Sequence, residues 1–88
     1  MEKTLFSNEY KILLLLLREA RESLDITQAE VAIRMGTTQS VVSKCERGER
    51  RLDVLELRKW CQAIGMPLND FLFEFDARLK KLRAKRRS

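Results

Sequence analysis

The sequence contains no histidine, and only two cysteines, one proline and three glycines among its 88 residues. Without histidine the commonest general base and metal ligand is missing. Cys45 and Cys61 lie far apart in apolar helical patterns, with no Cys-x-x-Cys spacing and no partner to complete a zinc site. A nucleophile motif and a glycine-rich phosphate loop are also missing. No catalytic residue, no metal site and no cofactor is therefore expected, and the chain reads as a non-enzyme. Long apolar runs are absent too: the longest, Ile12 to Leu17, is six residues against the roughly 20 that span a bilayer. No small-residue cleavage site follows it. These absences predict a chain that is neither secreted nor membrane-spanning, with reduced thiols in a cytoplasm.

Acidic residues are missing from one stretch only. From Ala77 onward the sequence has seven basic residues and no acidic one, which leaves 11 basic against 13 acidic residues before it. The net charge of +5 therefore belongs to the tail, and a polyanion is the natural partner of such a segment. A hydrophobic content of 44% beside 35% charged residues excludes a chain disordered throughout. Chains of this size bury about 60% of the surface exposed on unfolding, enough for one core only.

Five or six helical segments can be read, with no strand pattern and no repeat. Ser7 is a candidate N-cap for a first helix running to about Ser23, with Phe6 placed for a staple contact and Asp25 ending the helix. Thr27 with Glu30 forms a capping box for a second helix that Gly36 stops. Thr38 caps a third that runs to Arg47, with Gly48 beyond it. Asp53 with Glu56 forms another capping box for a fourth helix ending at Gly65. Pro67 fits the start of a fifth helix. Phe71, Phe75, Leu79 and Leu82 follow at helical spacing, so this helix is expected to continue past Asp76 before a fraying basic end.

On the third helix, steps of about 100° place Val41, Val42 and Cys45 on one side. Gln39, Ser40, Ser43, Lys44 and Arg47 gather on the other. That polar face carries no acid and offers the amide, hydroxyl, amine and guanidinium groups that read base edges and neutralise phosphates. An ordinary solvated face would look similar. Two short capped helices joined by a glycine turn, with Ala32 small at their crossing, are nevertheless what a DNA-reading pair requires.

The stretch from Leu24 to Leu72, with "ITQAEVAIRMGTTQSVVSKCERGERRLDVLEL" and "AIGMPLNDFL", resembles the phage Cro/repressor-type helix-turn-helix family, also called the xenobiotic-response-element family. The resemblance implies an all-α, five-helix domain over residues 1–76, with residues 77–88 as a basic helix end or tail. It also implies that the third helix enters the major groove of double-stranded DNA. By matching positions, Gln39, Ser40 and Lys44 would face base edges, with Ser43 nearby. Gln28 and Thr38 would contact phosphate, as would Arg47, Arg50 and Arg51; the last two could instead pair with Glu49 or Asp53. Arg21 and Glu46 would form a structural ion pair. Two departures stand out: Asp25 where the family commonly has glycine, and Ile33 where a polar residue is usual.

Leu13, Leu17, Ala20 and Leu24 give the first helix an inward face, while Ile12, Leu15 and Leu16 make a second apolar stripe. Its expected cover is the C-terminal segment with Phe71, Phe73, Phe75, Leu79 and Leu82, folded back within the monomer or crossing to a second subunit. A homodimer is favoured, because this motif reads palindromes with two recognition helices. Trp60 and Cys61 read as core residues. The tail has three readings: a disordered arm on the DNA backbone, which is favoured, the end of a dimerisation helix, or a membrane-surface segment. The expected function is a repressor on a palindromic operator. The alternatives are an antitoxin or restriction–modification controller with a protein partner such as a toxin, and an interaction module that has lost DNA binding.

Overall fold

Each of the first four helices begins where the sequence supplies an oxygen for the free N–H groups of its first turn. In the computed structural model residues 7–87 are described, with side chains as far as Ala84. The helices are α1 (Asn8–Ser23), α2 (Gln28–Met35), α3 (Gln39–Glu46), α4 (Val54–Ile64) and α5 (Leu68–Arg87), and no strand occurs among the described residues. Ser7 Oγ accepts from the Tyr10 N–H at 3.2 Å, and Thr38 Oγ1 accepts from Val41 at 3.3 Å. The boxes at Thr27–Glu30 and Asp53–Glu56 are reciprocal: each cap oxygen accepts from the third residue's N–H, at 3.1 and 2.8 Å, and each glutamate accepts from the cap's N–H. Each such cap contributes about 1 kcal/mol. Gly36 and Gly65, at φ of 74° and 76°, close α2 and α4 in the left-handed conformation that costs glycine nothing. Asp25 turns the chain at φ 58° without that freedom. Pro67 sits one residue ahead of α5, where its carbonyl accepts from Phe71.

The core gathers Leu17 of α1, Val31 of α2, Val42 and Cys45 of α3, Trp60 and Cys61 of α4, and Phe71 of α5, all essentially sealed from solvent. Burying one large side chain of this kind contributes roughly 1.5–3 kcal/mol. α2 packs on α3 and α4, and α1 packs on α3 and α5. Arg78 of α5 meets Glu19 of α1 at 2.8 Å, and Arg83, further along α5, reaches Glu9 at 3.9 Å, nearer the start of α1. The two helices therefore run antiparallel.

Several sequence expectations change here. The second stripe of α1 is covered largely by the chain itself: Leu16 and Phe71 are buried, Ile12, Phe75 and Leu79 are half-buried, and of that set only Leu15 is exposed, at 51%. Leu24 does not face inward. It follows the last turn of α1 and is 55% exposed, because the chain has already left the helix axis to turn at Asp25. The tail is no disordered arm, since α5 continues to Arg87 without a break at residue 76. The staple contact of Phe6, the side chains of Lys85, Arg86 and Arg87, and Ser88 lie outside the described residues.

Candidate nucleic-acid interface

The register of α3 is set from inside. Val42 and Cys45 are locked in the core against α2, and this leaves Gln39, Ser40 and Lys44 exposed on the opposite side, with Ser43 half-exposed. The N-terminal ends of α2 and α3 come together here: Gln28 and Gln39 line one open groove with Thr27, Ile26 and Asp25. The exposed Thr38 caps α3 at the same edge. The starts of two helices thus border one groove, and the uncapped N–H groups of a helix start favour an anion.

The one carboxylate of α3 is removed from that surface. The Glu46 side chain is 5% exposed and that of Arg21 9%, and the two meet as a fork, Nε to Oε2 at 2.7 Å and Nη2 to Oε1 at 3.0 Å. Arg21 also donates to the Ile26 carbonyl at 2.9 Å, which ties the α1–α2 turn to the end of α3. Gln28 Nε2 donates to Glu46 Oε1 at 2.9 Å, so the same carboxylate fixes the side chain at the start of α2. The outward face of α3 keeps its donors and presents no free negative charge.

The arginines beyond α3 separate into different environments. Arg47 folds onto Glu49 as a fork, at 2.9 and 3.2 Å, and also donates to Ser43 Oγ. That contact holds the Glu49 carboxyl below the usual carboxylate range. Arg50 turns away from the loop toward the body, meeting Glu56 at 2.8 Å and the Cys45 thiol at 3.6 Å. Its hydrogen bond to Glu56 lowers that carboxyl as well. Arg51 lies over the Tyr10 ring, 4.6 Å from its centroid, a cation–π contact. Tyr10 in turn accepts from the Leu52 N–H at 3.0 Å and pins the loop to the first turn of α1. Arg50 thus takes Glu56 as its ion-pair partner.

Two basic residues went unnoticed in the sequence. Lys11 and Arg18, seven apart on α1, line a groove with Leu14, Leu15, Glu46 and Arg47, so basic residues border the junction of α1 with the end of α3, Arg18 pairing there with Glu22 at 3.1 Å. Their spacing puts them on one helical face, a signal that was legible, but only the packing of α1 on α3 shows which face it is. No group of residues able to hold a metal occurs among the described residues, and no described helix is long and apolar enough to cross a membrane.

A family model described as helix-turn-helix matches residues 17–71. Among solved structures, one described as an XRE-family like protein from Pseudomonas syringae pv. tomato str. DC3000 is similar to this chain. The two are 47% identical, the match covers 80% of this chain and 85% of that one, and the TM-score is 0.77. No curated protein matches the sequence. With the matched segment spanning α2, α3 and their polar faces, the chain belongs to the Cro/repressor-type, or xenobiotic-response-element, helix-turn-helix family of DNA-binding transcription regulators.

Proposed function

We propose that this regulator is a repressor that occupies a palindromic operator as a homodimer. The observation that carries the reading is the outward face of α3, where Gln39, Ser40 and Lys44 stand exposed and the only carboxylate of the helix is buried against Arg21. In this role α3 lies in the major groove, Gln39 and Lys44 bond base edges, and Ser40 and Ser43 adjust the approach. Gln28 and Thr38 bond phosphates at the two helix starts. Arg47 exchanges Glu49 for a phosphate, and Arg51 reaches the backbone from its place on Tyr10. Arg50 acts chiefly as a brace between α3 and α4, through Cys45 and Glu56, and contributes charge to the loop rather than a direct bond.

Dimerisation is supported by three of the apolar side chains that the monomer leaves in water, Leu15 of α1 and Leu72 and Phe73 of α5, the last 78% exposed. A dimer places two copies of α3 about 34–36 Å apart, one turn of DNA. Repression in this reading means occupying the operator through α3. Selection from a random duplex pool, followed by sedimentation of the complex, tests this: two inverted half-sites bound by two chains are expected. A single non-repeated site bound by one chain would refute the dimer and the palindrome.

A further inference from the structure

The seven basic residues after Ala77 continue α5 as a helix, and that helix is directed to a particular place. Because α5 runs antiparallel to α1, its basic end arrives at the start of α1. Arg83 approaches Glu9 to 3.9 Å, and the neighbouring residue, Tyr10, carries Arg51 at 4.6 Å and holds the Leu52 N–H. Lys11 follows and borders the groove shared with Arg47. The first turn of α1 thus lies between the loop after α3 and the end of α5. Arg83 meets only the second residue of α1, so the four residues from Ala84 to Arg87, about 6 Å of helix at 1.5 Å per residue, extend past that turn.

We infer that the C-terminal end of α5 is a second, sequence-independent DNA contact, which takes the phosphates flanking those held by the loop around Arg51. This rests on the reading of α3 and its loop as the DNA-facing side. Three observations support it. The charge is of one sign over the last three turns, whereas the earlier part of α5 carries Asp70, Glu74 and Asp76. The helix is held in place by ion pairs of its described side chains, Arg78 with Glu19 and Glu74, and Arg83 with Glu9. Finally, duplex DNA carries one negative charge per roughly 1.7 Å of axis, so a cationic helix end beside a phosphate-binding loop meets further phosphates within about a Debye length of 8–10 Å. A pre-formed helix also delivers its charges without the ordering cost that a disordered arm would carry.

The test is the full chain against its Lys85→Gln, Arg86→Gln, Arg87→Gln variant. Glutamine keeps helix propensity close to that of lysine and arginine, and the anchoring Arg78 and Arg83 are untouched. Binding is measured across a salt series on a duplex limited to the selected site and on one extended by a helical turn at each end. Each lost phosphate contact should reduce the slope of log K against log salt by about 0.9. We expect the variant's slope to be shallower by about two to three on the extended duplex and its low-salt affinity to fall at least tenfold, with the ratio of cognate to scrambled binding unchanged. Equal slopes for the two proteins on the extended duplex would overturn the inference. So would a changed specificity ratio, a variant that sediments at lower mass than the full chain, or loss in the variant of binding to phosphatidylglycerol vesicles with DNA slopes equal. A parallel Gln39→Ala arm keeps the two readings apart, since it tests α3 without touching α5.

Discussion

Removing the carboxylate of Glu46 should strongly destabilise this protein, although its partner lies in a different helix 25 residues away. Glu46 accepts three hydrogen bonds, two from Arg21 and one from Gln28, and both members of the ion pair are almost wholly buried. In Glu46→Ala the guanidinium of Arg21 keeps its bond to the Ile26 carbonyl and is left as a buried charge whose remaining acid, Glu22, is half-exposed and 3.8 Å away. Such a break costs about 3–5 kcal/mol. A domain of this size has a total stability of about 4–13 kcal/mol, at 0.05–0.15 kcal/mol per residue. The variant would therefore lose a quarter of its stability at least. The pair itself is a different matter: replacing both residues, Arg21→Met with Glu46→Leu, removes the stranded charge and should restore most of the loss. Urea unfolding of the two single variants and the double variant measures this, with a midpoint shift at constant slope as the readout. The reasoning fails if Glu46→Ala costs less than about 1 kcal/mol, within the range of a surface pair, or if the double variant is as unstable as the worse single one.

Asp25→Gly should raise stability by about 0.5–1 kcal/mol, because relief of a positive φ in a non-glycine residue outweighs the added freedom of the unfolded chain; a lower melting temperature would contradict this. Cys45 and Cys61 should resist alkylation at pH 8 until the domain unfolds, since burial raises both thiols, that of Cys61 to about 11; rapid labelling of either in the folded protein would show that the core opens locally. Stability should fall on acidification. Backbone and side-chain bonds to Thr27 lower Glu30, and Arg50 and Asp53 lower Glu56, so both contribute fully above the ordinary carboxylate pKa and lose that contribution as pH drops through their depressed values. Melting temperatures between pH 6 and pH 3 check the direction, and Glu30→Gln with Glu56→Gln should flatten the profile.

Local chemistry was legible in the sequence because it acts over three or four residues. Thr27 with Glu30, Asp53 with Glu56, and the glycines at 36 and 65 could be placed without any tertiary information, and so could the split between Val42 with Cys45 and the polar side of α3. Distant contacts were not legible. Tyr10 bonds the Leu52 N–H across 42 residues, and Arg78 meets Glu19 across 59. Neither spacing leaves a periodic trace. The direction of α5 follows from such contacts, which is why its aromatic residues could be read equally well as crossing to another subunit. Arg50 and Arg51 looked equivalent as neighbours in one loop, yet one turns inward to a thiol and a carboxylate and the other onto an aromatic ring. Family likeness supplied the expected pairing of Arg21 with Glu46; nothing in the local pattern would have matched them.

The account depends most on α3 being the element that reads sequence, and one comparison tests it directly. Gln39→Ala, Lys44→Ala and Arg51→Ala are measured on the selected duplex and on a scrambled one at fixed salt, with circular dichroism confirming that each variant is folded. Loss of Gln39 or Lys44 should cost roughly 1–3 kcal/mol on the selected site and far less on the scrambled one, so that the specificity ratio falls. Loss of Arg51 should weaken both duplexes nearly equally, because phosphates carry no base identity. If the Gln39 and Lys44 variants keep the specificity ratio of the unaltered protein, α3 is not the reading helix and the assignment of roles across this interface is wrong.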